Sequence, residues 1–144
     1  MGRLDLDSKG LLLFTRDGKL GDRLTRPGGP HKIYEVWVRG IVTGEHIQEA
    51  LKGIESPEGL LKAARVEIKG GAGPKTRLEV ELEEGKNRHI RRLFGALKDP
   101  KFGTPLKVLE LKRIRIGRLK LDVGPGEWRF LKKAEEVLLF SPGR

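Results

Sequence analysis

The stretch KIYEVWVRG at residues 32–40 decides the fold class of this chain. Its side chains alternate, so that Tyr34, Val36 and Val38 point to one side and the residues between them point to the other. A repeat of two residues predicts a half-buried β-strand. Similar patterns predict further strands at 10–15, 64–70, 76–85, 107–117 and 127–131.

Two other segments follow the helical repeat. In GEHIQEALKGI (44–54), apolar residues recur at helical spacing at Ile47, Ala50, Leu51 and Ile54. In NRHIRRLFGALKD (87–99), they recur at Ile90, Leu93, Phe94 and Leu97. Shorter helical turns are predicted at 20–24 and 132–137. Because strands and helices mix without strict βαβ alternation, we expect one α+β domain over 1–144 around a largely antiparallel sheet.

Charge and composition narrow the classes of function. Thirty Lys and Arg residues against twenty Asp and Glu give a net charge of +10, which favours a polyanion such as nucleic acid. A charge kept for solubility, or a heat-adapted surface, is the alternative. The absence of cysteine excludes disulfides and thiolate chemistry. The apolar run at 11–14 is too short to span a membrane, so we expect a soluble, cytoplasmic protein.

The positive charge concentrates in two segments. On the helix predicted from Asn87, an N-cap candidate, Arg88, Arg91 and Arg92 share the face opposite the apolar one, and no acid on that helix offsets them. Such arginines are expected where a phosphate or carboxylate binds. The second segment, LKRIRIGRLK (111–120), interleaves bases with apolar residues. It indicates either a phosphate-binding strand or an edge strand protected by charge.

Catalytic candidates are few. The three histidines lack the spacing of metal ligands, and neither a nucleophile elbow nor a phosphate-binding P-loop is present. Asp5 precedes the first predicted strand. An aspartate there is usually a turn residue, but a carboxylate held ionised by a nearby cation can serve as nucleophile or base.

Four sequence segments, taken in their order along the chain, resemble a known family. GRLDLDSKGLLLFTRDGKL, KIYEVWVRG, LEEGKNRHIRRLF and LKRIRIGRLKLDVGPGEWR together closely resemble the RsuA-type ribosomal RNA pseudouridine synthases, from residue 2 to about residue 131. The resemblance implies a mixed, mostly antiparallel sheet with flanking helices and a central RNA-binding cleft. It also implies isomerisation of uridine to pseudouridine without cofactor or metal.

The resemblance assigns roles residue by residue. Asp5 matches the essential aspartate, Tyr34 the tyrosine that stacks on the target uracil, and Arg91 the basic residue that pairs with the aspartate. These three are the expected catalytic residues. The expected RNA-binding residues are Arg3, Lys32, Lys86, Asn87, Arg88, Arg92, Arg113 and Arg115, and Arg3 matches an arginine that helps extrude the nucleotide.

The resemblance also sets the expected substrate. The chain starts at GRLD, without the preceding segment and the S4-type domain that many members carry. We therefore expect an N-terminally truncated, monomeric catalytic domain that acts on large-subunit ribosomal RNA. The alternative is a catalytically inactive RNA-binding or ribosome-associated domain.

Overall fold

The computed structural model describes residues 9–10, 19, 23, 29–57, 59–83, 88–122 and 129–140. Its strands are β1 (Lys9–Gly10), β2 (Lys32–Arg39), β3 (Ile54–Ser56), β4 (Gly59–Leu61), β5 (Arg65–Ala72), β6 (Lys75–Leu82), β7 (Lys107–Ile116) and β8 (Leu119–Lys120). Its helices are α1 (Gly44–Lys52), α2 (His89–Gly95) and α3 (Lys133–Leu139).

Six of the strands form one sheet in the order β1-β7-β2-β6-β5, with β8 paired to β7. The pair β1–β7 is parallel and the other pairs are antiparallel. A separate hairpin joins β3 to β4. The α+β class and the mixed, mostly antiparallel sheet are thus confirmed.

The main core lies between one face of this sheet and the helices α1 and α2. Val36, Val38 and Val80 of the sheet are fully buried against Leu93 and Phe94 of α2. Removing such a side chain from water contributes about 1.5–3 kcal/mol. This buried face carries Tyr34, Val36 and Val38, as the alternation of β2 predicts.

Helix α1 begins at a capping box formed by Thr43 and His46. Thr43 Oγ1 accepts a hydrogen bond from the His46 backbone nitrogen at 3.3 Å, and the His46 Nδ1 accepts one from the Thr43 nitrogen at 3.1 Å. The two bonds satisfy backbone donors that a helix start leaves unpaired. The helix ends before Gly53, whose φ of +105° suits glycine, so the prediction that Ile54 belongs to the helix is wrong.

Helix α2 is shorter than predicted. It runs from His89 to Gly95, and Leu97 is buried outside it. Arg88 precedes the helix with a left-handed φ of 50° and makes no N-cap hydrogen bond through its side chain. The helical repeat predicts that Arg88 shares a face with Arg91 and Arg92. Arg88 lies outside the helix, so this prediction is wrong.

Other predictions had mixed outcomes. The strands predicted at 64–70, 76–85 and 107–117 and the helical turn at 132–137 are confirmed as β5, β6, β7 and α3. Residues 129–131 form no strand, so the strand predicted at 127–131 is wrong for these three residues, and 127–128 lie outside the described residues. Within GGAGPK (70–75), β5 continues through Ala72, and only Gly73 and Pro74 form the turn before β6. Most of 10–15 and 20–24 lies outside the described residues.

Candidate functional site

The site is built on one row of residues that crosses the sheet. Tyr34 of β2 pairs with Arg113 of β7, which in turn lies opposite Gly10 of β1. On its other side Tyr34 pairs with Val80. Paired residues of neighbouring strands point to the same face. Tyr34 and Arg113 are 8% and 1% exposed, so the row places a guanidinium inside the core layer beside a phenol.

A β-bulge separates the two arginines of β7. Ile33 pairs with Arg115, yet the next residue, Tyr34, pairs with Arg113, so Ile114 is the extra residue. Residues two apart on a regular strand share a face. Because of the bulge, Arg113 instead lies on the face of Tyr34, and Arg115 lies on the opposite face with Ile33. Nε and one terminal nitrogen of Arg115 donate to the Gly117 carbonyl at 3.4 and 3.3 Å.

The stretch that carries these arginines is not a free edge. Arg113 is paired to β1 and β2, and Arg115 is paired to β2 and β8. The edge-strand alternative is therefore wrong for this part of β7. The prediction that the bases of this strand lie exposed is also wrong for Arg113, which is buried.

Lys32 brings a second cation to the same face. It lies two residues before Tyr34 on β2, so the two side chains leave the strand on one side. Burial, and then the positive charge of Arg113, lower the pKa of Lys32. Lys32, Tyr34 and Arg113 thus form a compact group in which two cations and a phenol are partly removed from water.

Strand β1 can approach this group only because residue 10 is glycine. Gly10 has a φ of +112°, and a Cβ added there would lie under 3.0 Å from backbone atoms of Arg113. Glycine tolerates both the conformation and the close approach. The segment that follows Asp5 in the sequence therefore enters the sheet directly beside Arg113.

Helix α2 holds its arginines over the same face. One terminal nitrogen of Arg91 donates to the Val108 carbonyl at 3.3 Å, and Arg92 is half-buried on the same helix. Val108 pairs with Val38, four residues beyond Tyr34 on β2, or about 13 Å along the strand. Buried His89 anchors the start of the helix, with Nε2 2.9 Å from the Lys62 carbonyl oxygen.

The structure brings some of the predicted site residues together and separates others. Lys32, Tyr34 and Arg113 lie together, and Arg91 and Arg92 lie on the helix that covers the same face. Arg88 lies at the exposed start of that helix, and Arg115 lies on the other face. Arg3, Asp5, Lys86 and Asn87 lie outside the described residues.

One charged network beside the site has no counterpart in the sequence motifs. Glu81 accepts from Arg65 at 3.3 Å, and its other oxygen lies 2.6 Å from the Nδ1 of His31, the residue before β2. Burial raises the pKa of Glu81, but the hydrogen bonds from His31 and Arg65 outweigh burial and leave that pKa lowered. No local pattern could reveal this contact, because His31 and Glu81 are 50 residues apart.

Two further classes of site are absent from the described part of the chain. It holds no group of three or more His, Cys, Asp or Glu residues placed to bind a metal ion. None of its helices is long and apolar enough to cross a membrane.

Several known proteins are similar to this chain in sequence. Residues 1–96 match the family model described as RNA pseudouridylate synthase. The chain is 37% identical over 125 residues to the ribosomal large subunit pseudouridine synthase B of Haemophilus influenzae, covering 86% of this chain and 33% of that protein. It is 34% identical over 145 residues to the ribosomal small subunit pseudouridine synthase A of Vibrio cholerae, covering 97% and 58%.

A solved structure resembles the fold as well. A crystal structure of pseudouridylate synthase superposes with a TM-score of 0.77 at 29% identity, covering 96% of this chain and 57% of that one. The chain thus spans between one third and three fifths of the length of these three proteins.

Proposed function

The chain belongs to the RNA pseudouridylate synthase family, and from that membership we propose that it isomerises uridine in RNA to pseudouridine. The observation that carries the proposal is the common face of Tyr34, Arg113 and Arg91. A phenol, a buried guanidinium and a second arginine lie on that face of one sheet, beside the strand that follows Asp5. We propose Asp5, Tyr34 and Arg91 as the catalytic residues.

The proposed pairing of Asp5 with Arg91 is consistent with the place of β1 beside β7. β1 runs parallel to β7 with Lys9 opposite Lys112. Asp5 lies four positions before Lys9 in the sequence. The carbonyl of Val108 already accepts a hydrogen bond from Arg91. We propose that Arg91 is the cation that keeps the Asp5 carboxylate ionised.

The proposed reaction begins with the target nucleotide leaving its helix. Flipping costs a few kcal/mol, and stacking of the uracil on Tyr34 would offset about 1–3 kcal/mol of this. Asp5 then attacks C1′ or C6, or removes a ribose proton, and the bond between N1 and C1′ breaks. The uracil turns and C5 bonds to C1′, while the bond to Asp5 breaks or the abstracted ribose proton returns; the proton on C5 then departs and N1 gains one. Because reactant and product are isomers, the reaction needs no redox partner.

The cations of the site have a separate proposed role. A uracil detached from its ribose carries developing negative charge, which fixed positive groups stabilise best where water is excluded. Lys32 and Arg113 are the partly and fully buried cations next to Tyr34. Arg88, Arg92 and Arg115, with Arg3, Lys86 and Asn87, would contact phosphates and position the RNA without reading its sequence.

The proposed substrate is ribosomal RNA. The names of the Haemophilus and Vibrio relatives refer to the large and the small ribosomal subunit. We propose the large-subunit RNA, in keeping with the higher identity to the Haemophilus protein. We further propose that residues 1–144 act as one monomeric domain in the cytoplasm, where bacterial ribosomal RNA is made.

Tritium release from 5-³H-uridine in unmodified large-subunit RNA transcripts tests this function. We expect release by the parent protein and none by Asp5→Asn. Arg91→Ala should lose turnover with little loss of binding, whereas Arg92→Ala should mainly weaken binding and flatten its salt dependence. RNA binding by the parent without any release would instead support the inactive RNA-binding domain. Full activity in Arg91→Ala would refute its pairing with Asp5.

A further inference from the structure

We propose, on the basis of the RNA substrate proposed above, that the far end of the sheet is a second RNA-binding surface. β2 carries Tyr34 near its start and Arg39 at its end. The surface at that end, here named the end patch, consists of Arg39, Lys75, Lys98, Lys101, Phe102 and Lys107. All six side chains are exposed.

Three of these cations stand side by side in register. Arg39 pairs with Lys107 of β7 on one side and with Lys75 of β6 on the other. Neighbouring strands are about 4.8 Å apart, so the row spans about 10 Å. Like charges placed directly opposite one another destabilise a sheet. Within the described ranges none of the three forms an ion pair, so no described acidic side chain offsets this repulsion.

Protection of an exposed sheet edge does not explain the row. Charged side chains often guard edge strands against pairing with another chain. However, β2 lies between β7 and β6, and β6 lies between β2 and β5. Arg39 and Lys75 therefore stand on interior strands, where that protection is not needed. An anionic partner accounts for the row because phosphates would neutralise the cations that repel each other.

The loop at 98–106 extends the end patch and is firmly held. The carboxylate of Asp99 accepts hydrogen bonds from the backbone nitrogens of Lys101, Phe102 and Ile41 at 2.7, 3.1 and 3.1 Å. Hydrogen bonding, first from Lys101, lowers the pKa of Asp99. The buried His46 adds a bond from its Nε2 to the Lys98 carbonyl at 2.7 Å. These hydrogen bonds hold the loop backbone in one conformation.

This fixed loop presents an aromatic ring to solvent. Phe102 is 71% exposed, and the Lys101 ammonium lies 5.3 Å from the centre of its ring. A large apolar side chain held outward among lysines has no role in the core. Clustered cations beside an exposed aromatic ring suit the binding of unpaired RNA, since phosphates meet the cations and a base stacks on the ring.

The end patch lies at a distance that one RNA strand can bridge. Tyr34 and Arg39 are five residues apart on β2, or about 17 Å, and their side chains leave on opposite faces. RNA that reaches both must pass round the end of the sheet. The 98–106 loop crosses that end, because it leads from the helix layer to Lys107 and contacts Ile41 just after β2. Phe102 and its lysines therefore lie along the route.

The test is RNA binding by a variant that lacks the row of three cations. In Arg39→Gln/Lys75→Gln/Lys107→Gln, loss of three phosphate contacts should reduce the salt slope of binding by about 2. At 0.1 M salt this corresponds to about 100-fold weaker binding of the RNA transcript. Phe102→Ala should weaken binding by about 5- to 150-fold with an unchanged salt slope, because it removes stacking and no charge.

A matched control separates the end patch from net charge. Lys52, Lys69 and Lys133 are exposed on α1, β5 and α3, outside the end patch. Their joint replacement by glutamine removes the same charge and should leave the salt slope nearly unchanged. Equal losses in the two triple variants would overturn the proposal, since net charge alone would then explain binding.

The outcomes also separate this proposal from the proposed catalysis. If the parent releases no tritium but the row variant still loses affinity and slope, catalysis fails and the end patch stands. If the parent is active and the row variant binds RNA like the parent, the end patch is overturned and catalysis stands. In that case the cations would serve a protein or a lipid surface rather than RNA.

Discussion

Replacing Gly10 by alanine tests whether β1 must lie against Arg113 for the site to work. A residue other than glycine at φ +112° is strained by about 1–3 kcal/mol, and the new methyl group would also overlap backbone atoms of Arg113. The hydrogen bonds that pair the two residues of β1 contribute only about 0.5–1.5 kcal/mol each. Strain and overlap together exceed that contribution, so we expect β1 to separate from β7.

The loss of function should then exceed the loss of stability. Among the described residues, separation of β1 removes the pairing of Lys9 and Gly10, about 1–3 kcal/mol, which corresponds to a fall in melting temperature of no more than about 12 °C. A catalytic group misplaced by about 1 Å costs about 100-fold in rate, or about 2.7 kcal/mol. We therefore expect Gly10→Ala to lower kcat/KM for tritium release at least 100-fold at temperatures where it remains folded.

Gly44 provides the matched control, because a Cβ added there meets no atom within 4 Å. Gly44→Ala should keep both activity and melting temperature. Normal turnover by Gly10→Ala would refute the reasoning that the approach of β1 to Arg113 positions the catalytic residues. Unfolding of Gly10→Ala at ambient temperature would refute the claim that β1 contributes little to global stability.

Two further predictions concern stability. Burial and Arg113 lower the pKa of Lys32, so between its folded pKa and the ordinary value of 10.5 the unfolded chain binds more protons and stability rises with pH. Lys32→Met should therefore melt higher than the parent at neutral pH, and this difference should shrink as pH approaches 10.5; a difference that does not change with pH would contradict the assignment. Phe94→Ala should cost about 3–5 kcal/mol and lower the melting temperature by about 6–20 °C, because Phe94 is fully buried. The same substitution at the exposed Phe102 should leave the melting temperature unchanged.

The sequence predicted best those elements whose pattern depends only on which side faces the core. The alternation around Tyr34 and Val36 identified β2 and its buried face, and the same repeat identified β6 and β7. The apolar spacing of Leu93 and Phe94 identified α2. Such patterns are local, because burial requires each element to place its own apolar residues on one side.

Predictions failed where the outcome depended on a partner element. Ile54 and Leu97 fit the helical repeat, yet the helices stop before them and both residues reach apolar surroundings in other ways. Residues 129–131 have the composition of a strand but no strand pairs with them in the described chain. A strand requires a neighbour to receive its hydrogen bonds, and a single segment does not show whether one is present.

The sequence by itself determined the family motifs, the α+β class and the side of β2 that faces the core. Tertiary structure alone decided that Arg113 enters the core while Arg115 leaves on the other face, because the bulge at Ile114 exists only in the pairing of β7 with β2. It also decided that Arg39, Lys75 and Lys107 form one row. Residues so far apart in the chain become neighbours only through strand register, which long-range pairing sets and no local repeat encodes.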